Sequence, residues 1–155
     1  MNQINTAQVR LLTELLEKSE HGNVPVNGKR FRADHFGEIA QIDELIRKRL
    51  VIAESDAFRI SIASLPLLNT DTALALLERA EALWQVFRKH YRAHLEQPLF
   101  LSSAAEQSRL DIDVARKTLN YMFEYPWWSG RSTPADRLYE TFCISEKALT
   151  FESFR

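Results

Sequence analysis

IDELIRKRLVIAESDAFRISI, residues 42–62, changes its hydrophobic period part-way along, and that change decides the reading of the fold. Phe36, Ile39, Ile42, Leu45, Ile46 and Leu50 recur at three and four residues, the spacing of a helix laid on a core over 34–49. Gly37 weakens the first turn of that helix by roughly 1 kcal/mol relative to Ala, which leaves a break into two short helices open. Past Leu50 the period becomes two. Phe58, Ile60 and Ile62 alternate with Arg59 and Ser61, as in a half-buried strand. The polar Glu54-Ser55-Asp56 between the two apolar runs reads as the tip of a tight hairpin.

On the N-terminal side, Asn5 or Thr6 caps a first helix and Gln8 stands at capping-box spacing from Asn5. Val9, Leu11, Leu12, Leu15 and Leu16 form its apolar face, and His21-Gly22-Asn23 supplies a stop. Residues 22–28 read as a loop with an extended Val-Pro-Val piece, and NGKRFRA (27–33) is polar and short. On the C-terminal side, Thr70 or Asp71 caps a helix that runs from Thr72 to about Gln97 and stops at Pro98. Its stripe of Ala73, Leu76, Leu77, Ala80, Leu83, Trp84, Phe87, Tyr91 and Leu95 is long enough to span two modules or to form a dimer seam.

Beyond Pro98, Ser103 and Glu106 are spaced as a capping box, and Asp113 is placed to cap a further helix through Phe123. Ala105, Leu110, Ile112, Ala115, Leu119 and Met122 take the packing positions of this helix pair. Pro126-Trp127-Trp128-Ser129-Gly130 then breaks the helix, Tyr139 to Ile144 alternates like a strand, and Leu149 to Phe151 is expected to pair with it.

A helix carrying IDELIRKRLV that runs directly into LVIAESDAFRISI resembles the third helix and wing of a winged helix-turn-helix domain, covering residues 6–65. The departures are the polar second helix and Arg109, which stands where many such turns have Gly. The resemblance, extended by the order of elements after Pro98, implies a mostly α chain with short β-hairpins: winged helix-turn-helix modules joined by a long central helix. The expected division is 1–69 for the first module, 70–98 for the linking or dimerisation helix, and 99–155 for the second module.

Composition excludes several classes. The chain has 155 residues, 45% apolar and 26% charged, so disorder and low complexity are ruled out. Twenty basic against twenty-one acidic residues give a net charge of −1, and the balance holds in each half: nine against nine in 1–70, eleven against twelve in 71–155. Any basic face is therefore local. With four glycines and none of the phosphate-loop, dinucleotide or hydrolase signatures, an enzyme is not expected, and no catalytic or cofactor-binding residue is assigned. The lone Cys143 fits a reducing compartment and reads as a small buried apolar residue. No leader and no membrane span is read, the longest uncharged stretch being residues 60–70, so a cytoplasmic protein is expected. His90 and His94 share a helix face, but no third ligand is evident and no metal is expected.

Three basic clusters remain: Lys29, Arg30 and Arg32; Arg47, Lys48 and Arg49; and Arg88, Lys89 and Arg92. Such groups neutralise backbone phosphates. Arg116, Lys117, Asn120 and Tyr121 fall on the expected exposed arc of the second recognition helix, where Arg and Asn suit guanine and adenine edges. The DNA-binding set is thus Arg47, Lys48, Arg49, Arg59, Arg116, Lys117, Asn120 and Tyr121. This describes a transcriptional regulator on duplex DNA, dimeric through the 72–97 helix. The alternative follows from the acidic pI of about 6.4. Tandem winged helices of this charge resemble the small kite subunits of structural-maintenance-of-chromosomes and defence-system ATPases, which bind protein partners. Trp127, Trp128 and Phe100 would supply an apolar patch for that role.

Overall fold

A computed structural model describes residues 3–20, 24–122, 128–132 and 139–154. The chain is mostly helical with short antiparallel strands, and it divides into two compact units, residues 1–75 and 76–155. Among the described residues no helix is long and apolar enough to cross a membrane.

In the first unit, α1 (Thr6–Lys18) opens on a reciprocal capping box: Gln8 N donates to Asn5 Oδ1 at 2.9 Å, and Asn5 N to Gln8 Oε1 at 3.0 Å. Leu11, Leu12, Leu15 and Leu16 bury the face the periodicity assigns to it. The helix ends at Lys18, and the stop expected at 21–23 lies outside the described residues. β1 (Val26–Asn27) leads straight into α2 (Gly28–Asp34), so the polar NGKRFRA does make a helix, capped by Asn27 Oδ1 on Arg30 N at 2.9 Å.

The single helix expected over 34–49 is corrected to a short 3-10 turn (Phe36–Glu38) followed by α3 (Ile39–Arg47). His35 explains the break. Its ring packs on Phe31 at 4.6 Å, and its Nε2 lies 2.8 Å from Glu14 on α1. Tucking His35 inward throws Phe36 out, and this expected core residue is 83% exposed.

α3 ends with Arg49 in the left-handed region (φ 59°), Leu50 N donating back to Leu45 O at 3.0 Å. β2 (Val51–Glu54) and β3 (Ala57–Ile60) then form the expected hairpin, Val51 opposite Ile60 and Glu54 opposite Ala57. β1 adds to the other edge of β3, giving the antiparallel order β1-β3-β2. A 3-10 turn (Ile62–Ser64) and α4 (Leu65–Leu68) follow.

α5 (Asp71–Ala93) is shorter at its C-terminal end than expected, and Leu95 falls outside it. The side chains of its stripe from Ala73 to Tyr91 are buried. In the second unit, Trp84 packs edge-on against Phe151 and Phe154 at 5.8 and 6.1 Å. Tyr91 donates its hydroxyl proton to Phe142 O at 2.8 Å and accepts from Leu99 N at 3.1 Å.

α6 (Leu101–Ser108) starts two residues before the expected cap. Leu101 N is satisfied by Glu140 O at 2.7 Å next to a β-bridge between Phe100 and Thr141, while Ser103 Oγ accepts from Gln107 instead. The turn to α7 (Ile112–Met122) repeats the earlier geometry: Arg109 is left-handed (φ 58°) and Leu110 N donates to Ala105 O at 2.9 Å. Asp111, rather than Asp113, caps α7 through Asp113 N at 2.9 Å. β4 (Trp128–Ser132) pairs antiparallel with β5 (Thr141–Ile144). The pairing expected for Leu149 to Phe151 is therefore corrected, since Glu146–Thr150 is a 3-10 turn and β4 takes that edge.

The first unit runs α-β-α-α-β-β with the third strand central, and the second runs α5-α6-α7-β4-β5 in a similar order, with a single bridge from Phe100 to Thr141 where the first unit has β1. A four-residue phrase repeats with it. Phe58-Arg59-Ile60-Ser61 and Phe142-Cys143-Ile144-Ser145 each bury the Phe and Ile, and each Ser caps the following 3-10 turn.

Candidate nucleic-acid interface

The expected contact residues fall into separate settings. Arg47, in the last turn of α3, is well exposed and lies 3.7 Å from Glu44. Lys48 is drawn closer, its Nζ 2.9 Å from Glu44 Oε1 and donating to Gln3 O at 2.8 Å. The hydrogen bond from Lys48 holds the Glu44 carboxyl below the usual carboxylate range, aided by Gln8, whose Nε2 donates to Glu44 at 3.1 Å. Arg49 is exposed and enters no ion pair among the described residues. Arg59 is half-buried on β3, opposite Ile52.

In the second unit the exposed arc is corrected. Tyr121 is buried, 2% exposed, and Asn120 is half-buried with its Oδ1 sealed away from any hydrogen-bond partner among the described residues. Arg116 is held by two carboxylates, Glu140 at 3.0 Å and Asp113 at 2.9 Å, and its side chain is only 14% exposed. Lys117 alone of the four is exposed. The buried side of α7 is wider than the spacing implied, taking Thr118 and Tyr121 along with Ala115, Leu119 and Met122. The buried Glu140 carboxylate demands a cation, and Arg116 supplies it.

The residues that do assemble lie on α2 and the hairpin of the first unit. Lys29 Nζ stands 3.7 Å from Asp56 at the hairpin tip, and the exposed Arg30 follows it. Arg32 bridges to Asp43 on α3 at 2.7 Å while its guanidinium lies 5.5 Å from the Phe58 ring centre. Gly28 makes the approach possible: its N donates to Asp56 O at 2.6 Å, and a Cβ there would sit 2.8 Å from the Phe58 ring. Lys29, Arg30 and Arg32 thus belong to one α2–hairpin edge and none of them is in the expected set, whereas Arg59, next to Phe58 on β3, points to the opposite face of the hairpin. The missed signal was the Asn27 cap that turns NGKRFRA into a helix.

Other candidates have structural roles or lie out of view. His90 Nε2 meets Gln97 O at 2.8 Å, and among the described residues no three His, Cys, Asp or Glu side chains converge on a metal position. Phe100 is partly exposed and edge-on to Tyr139 at 5.8 Å, whereas Trp127 lies outside the described residues. No family model, curated protein or solved structure matches the chain.

Proposed function

We propose that this chain is a non-enzymatic, tandem winged-helix protein that docks on duplex DNA as a transcriptional regulator, chiefly through its first unit. The observation that carries the reading is the α-β-α-α-β-β order of the first unit with the third strand central, the connectivity of a winged helix-turn-helix, echoed in part by α5-α6-α7-β4-β5 in the second. On this reading α3 is the recognition helix and β2–β3 the wing. Lys29, Arg30 and Arg32 meet phosphates on one side, Arg59 does so from the other face of the wing, and Arg47 and Arg49 do so at the end of α3. The contacts are mainly of the phosphate type, because Asp43 and Glu44 occupy the middle of α3 and few side chains there suit base edges.

The test is binding of random duplex DNA by fluorescence anisotropy between about 50 and about 200 mM salt. Binding at the lower salt that weakens steeply at the higher is expected, and Lys29→Gln with Arg30→Gln lowers the salt slope by about 2. No binding at low salt discards the reading.

A second reading, a kite-like protein-interaction subunit, is favoured by two observations. Phe36 is 83% exposed at the start of the would-be recognition region, and Arg116 is engaged internally. Loss of partner binding in Phe36→Ala, with no effect of salt, distinguishes it.

A further inference from the structure

Three cations on α5 have no part in the α2–hairpin edge. Arg88, Lys89 and Arg92 follow one another along one side of the helix, with Gln85 and Ala93 completing the stripe at helical spacing. These five residues line a concavity of about 390 Å³ in the second unit that is largely open to solvent. None of the three cations enters an ion pair among the described residues. The nearest acid along the helix is already engaged: Glu81 accepts from Gln85 Nε2 at 2.8 Å and from Phe154 N at 2.8 Å.

Arg88 carries the argument. Its Nε is buried and has no hydrogen-bond partner among the described residues. A buried guanidinium N–H left without an acceptor is costly, and native proteins rarely tolerate one without a compensating partner. The Nε atom is closed to solvent, so an acceptor satisfies it only once the side chain turns it toward the concavity. Beside two further cations, that acceptor is best an anion with several oxygens, which a planar guanidinium engages in pairs.

We propose that this face of α5 binds a small phosphomonoester. The phosphate sits between Arg88 and Arg92 with Lys89 as a further charge, and the rest of the ligand fills the concavity, which is larger than inorganic phosphate needs. The site is independent of the winged-helix reading and stands or falls separately.

The test follows the Arg Nε–H resonances by NMR while inorganic phosphate, AMP or a short DNA duplex is added at ionic strength held constant with potassium chloride. The Arg88 signal is expected to shift and saturate with phosphate and, at lower concentration, with AMP. Arg92→Gln, an exposed change that leaves folding intact, weakens AMP binding about tenfold through loss of a charge-assisted contact. Three results overturn the proposal: no saturable shift, a shift that chloride reproduces, or a duplex that moves the Arg88 signal and competes with AMP. The last would assign the cations to nucleic acid.

Discussion

Arg116 and Lys117 are neighbours on α7 with opposite fates. Arg116 answers a buried carboxylate, that of Glu140, whose side chain is 1% exposed, while Lys117 stands in solvent. Arg116→Ala is expected to lower stability by about 3 kcal/mol in chemical denaturation, because Glu140 loses this cation in a low-dielectric site. Lys117→Ala should stay within about 0.5 kcal/mol. Tyr91 makes a second residue-scale test. Burial pushes its phenol up to about 12 from an ordinary 10.0, with Cys143 adding to the rise. Below pH 10 folded and unfolded chains both hold the proton. Above it the unfolded chain releases it first, so stability falls through the pH 10–12 window by up to ~1.4 kcal/mol per pH unit. Tyr91→Phe should remove this alkaline slope in pH-dependent denaturation, and cost about 1–3 kcal/mol at neutral pH by stranding Leu99 N and Phe142 O.

At the scale of elements, α2 and the hairpin depend on one missing side chain. Gly28→Ala places a Cβ against the buried Phe58 ring, and overpacking of this kind costs about 1–3 kcal/mol. Thermal melts should register that loss, and amide exchange should quicken in β1 and β3 together. The hairpin was legible because Phe58 and Ile60 alternate with a polar Arg59, and α1 because Asn5 and Gln8 cap a leucine face. α2 was not, since its stability comes from the Asn27 cap and from Phe31 packing on His35 and Phe58 rather than from an apolar stripe. Phe36 misled for the same reason. A periodic position tells which face a helix would bury, but His35, drawn in by Glu14, ended the helix there. The arc of α7 was misjudged because the partner of Arg116 lies 24 residues away, beyond the reach of local spacing.

For the whole molecule, the partial likeness of the two units was legible only as an order of elements. Its sequence trace, Phe-x-Ile-Ser at 58–61 and 142–145, is too short to stand out before the strands are seen to coincide. A chain ended after Ser132 is expected to keep the first unit's helical signal in circular dichroism. It should show red-shifted tryptophan emission, since all three Trp residues lie in the second unit and Trp84 loses its cover. Unshifted emission would show that the second unit does not need β5. The underlying feature is the closure of that unit by residues 140–154: Glu140 meets Leu101 and Arg116, Phe142 receives Tyr91, and Phe151 covers Trp84. During synthesis, then, α5 emerges from the ribosome well before the segment that shields its aromatic side chains. Until that segment is free of the exit tunnel, the nascent polypeptide displays an oily flank, which makes it a natural client for chaperones that hold unfinished chains.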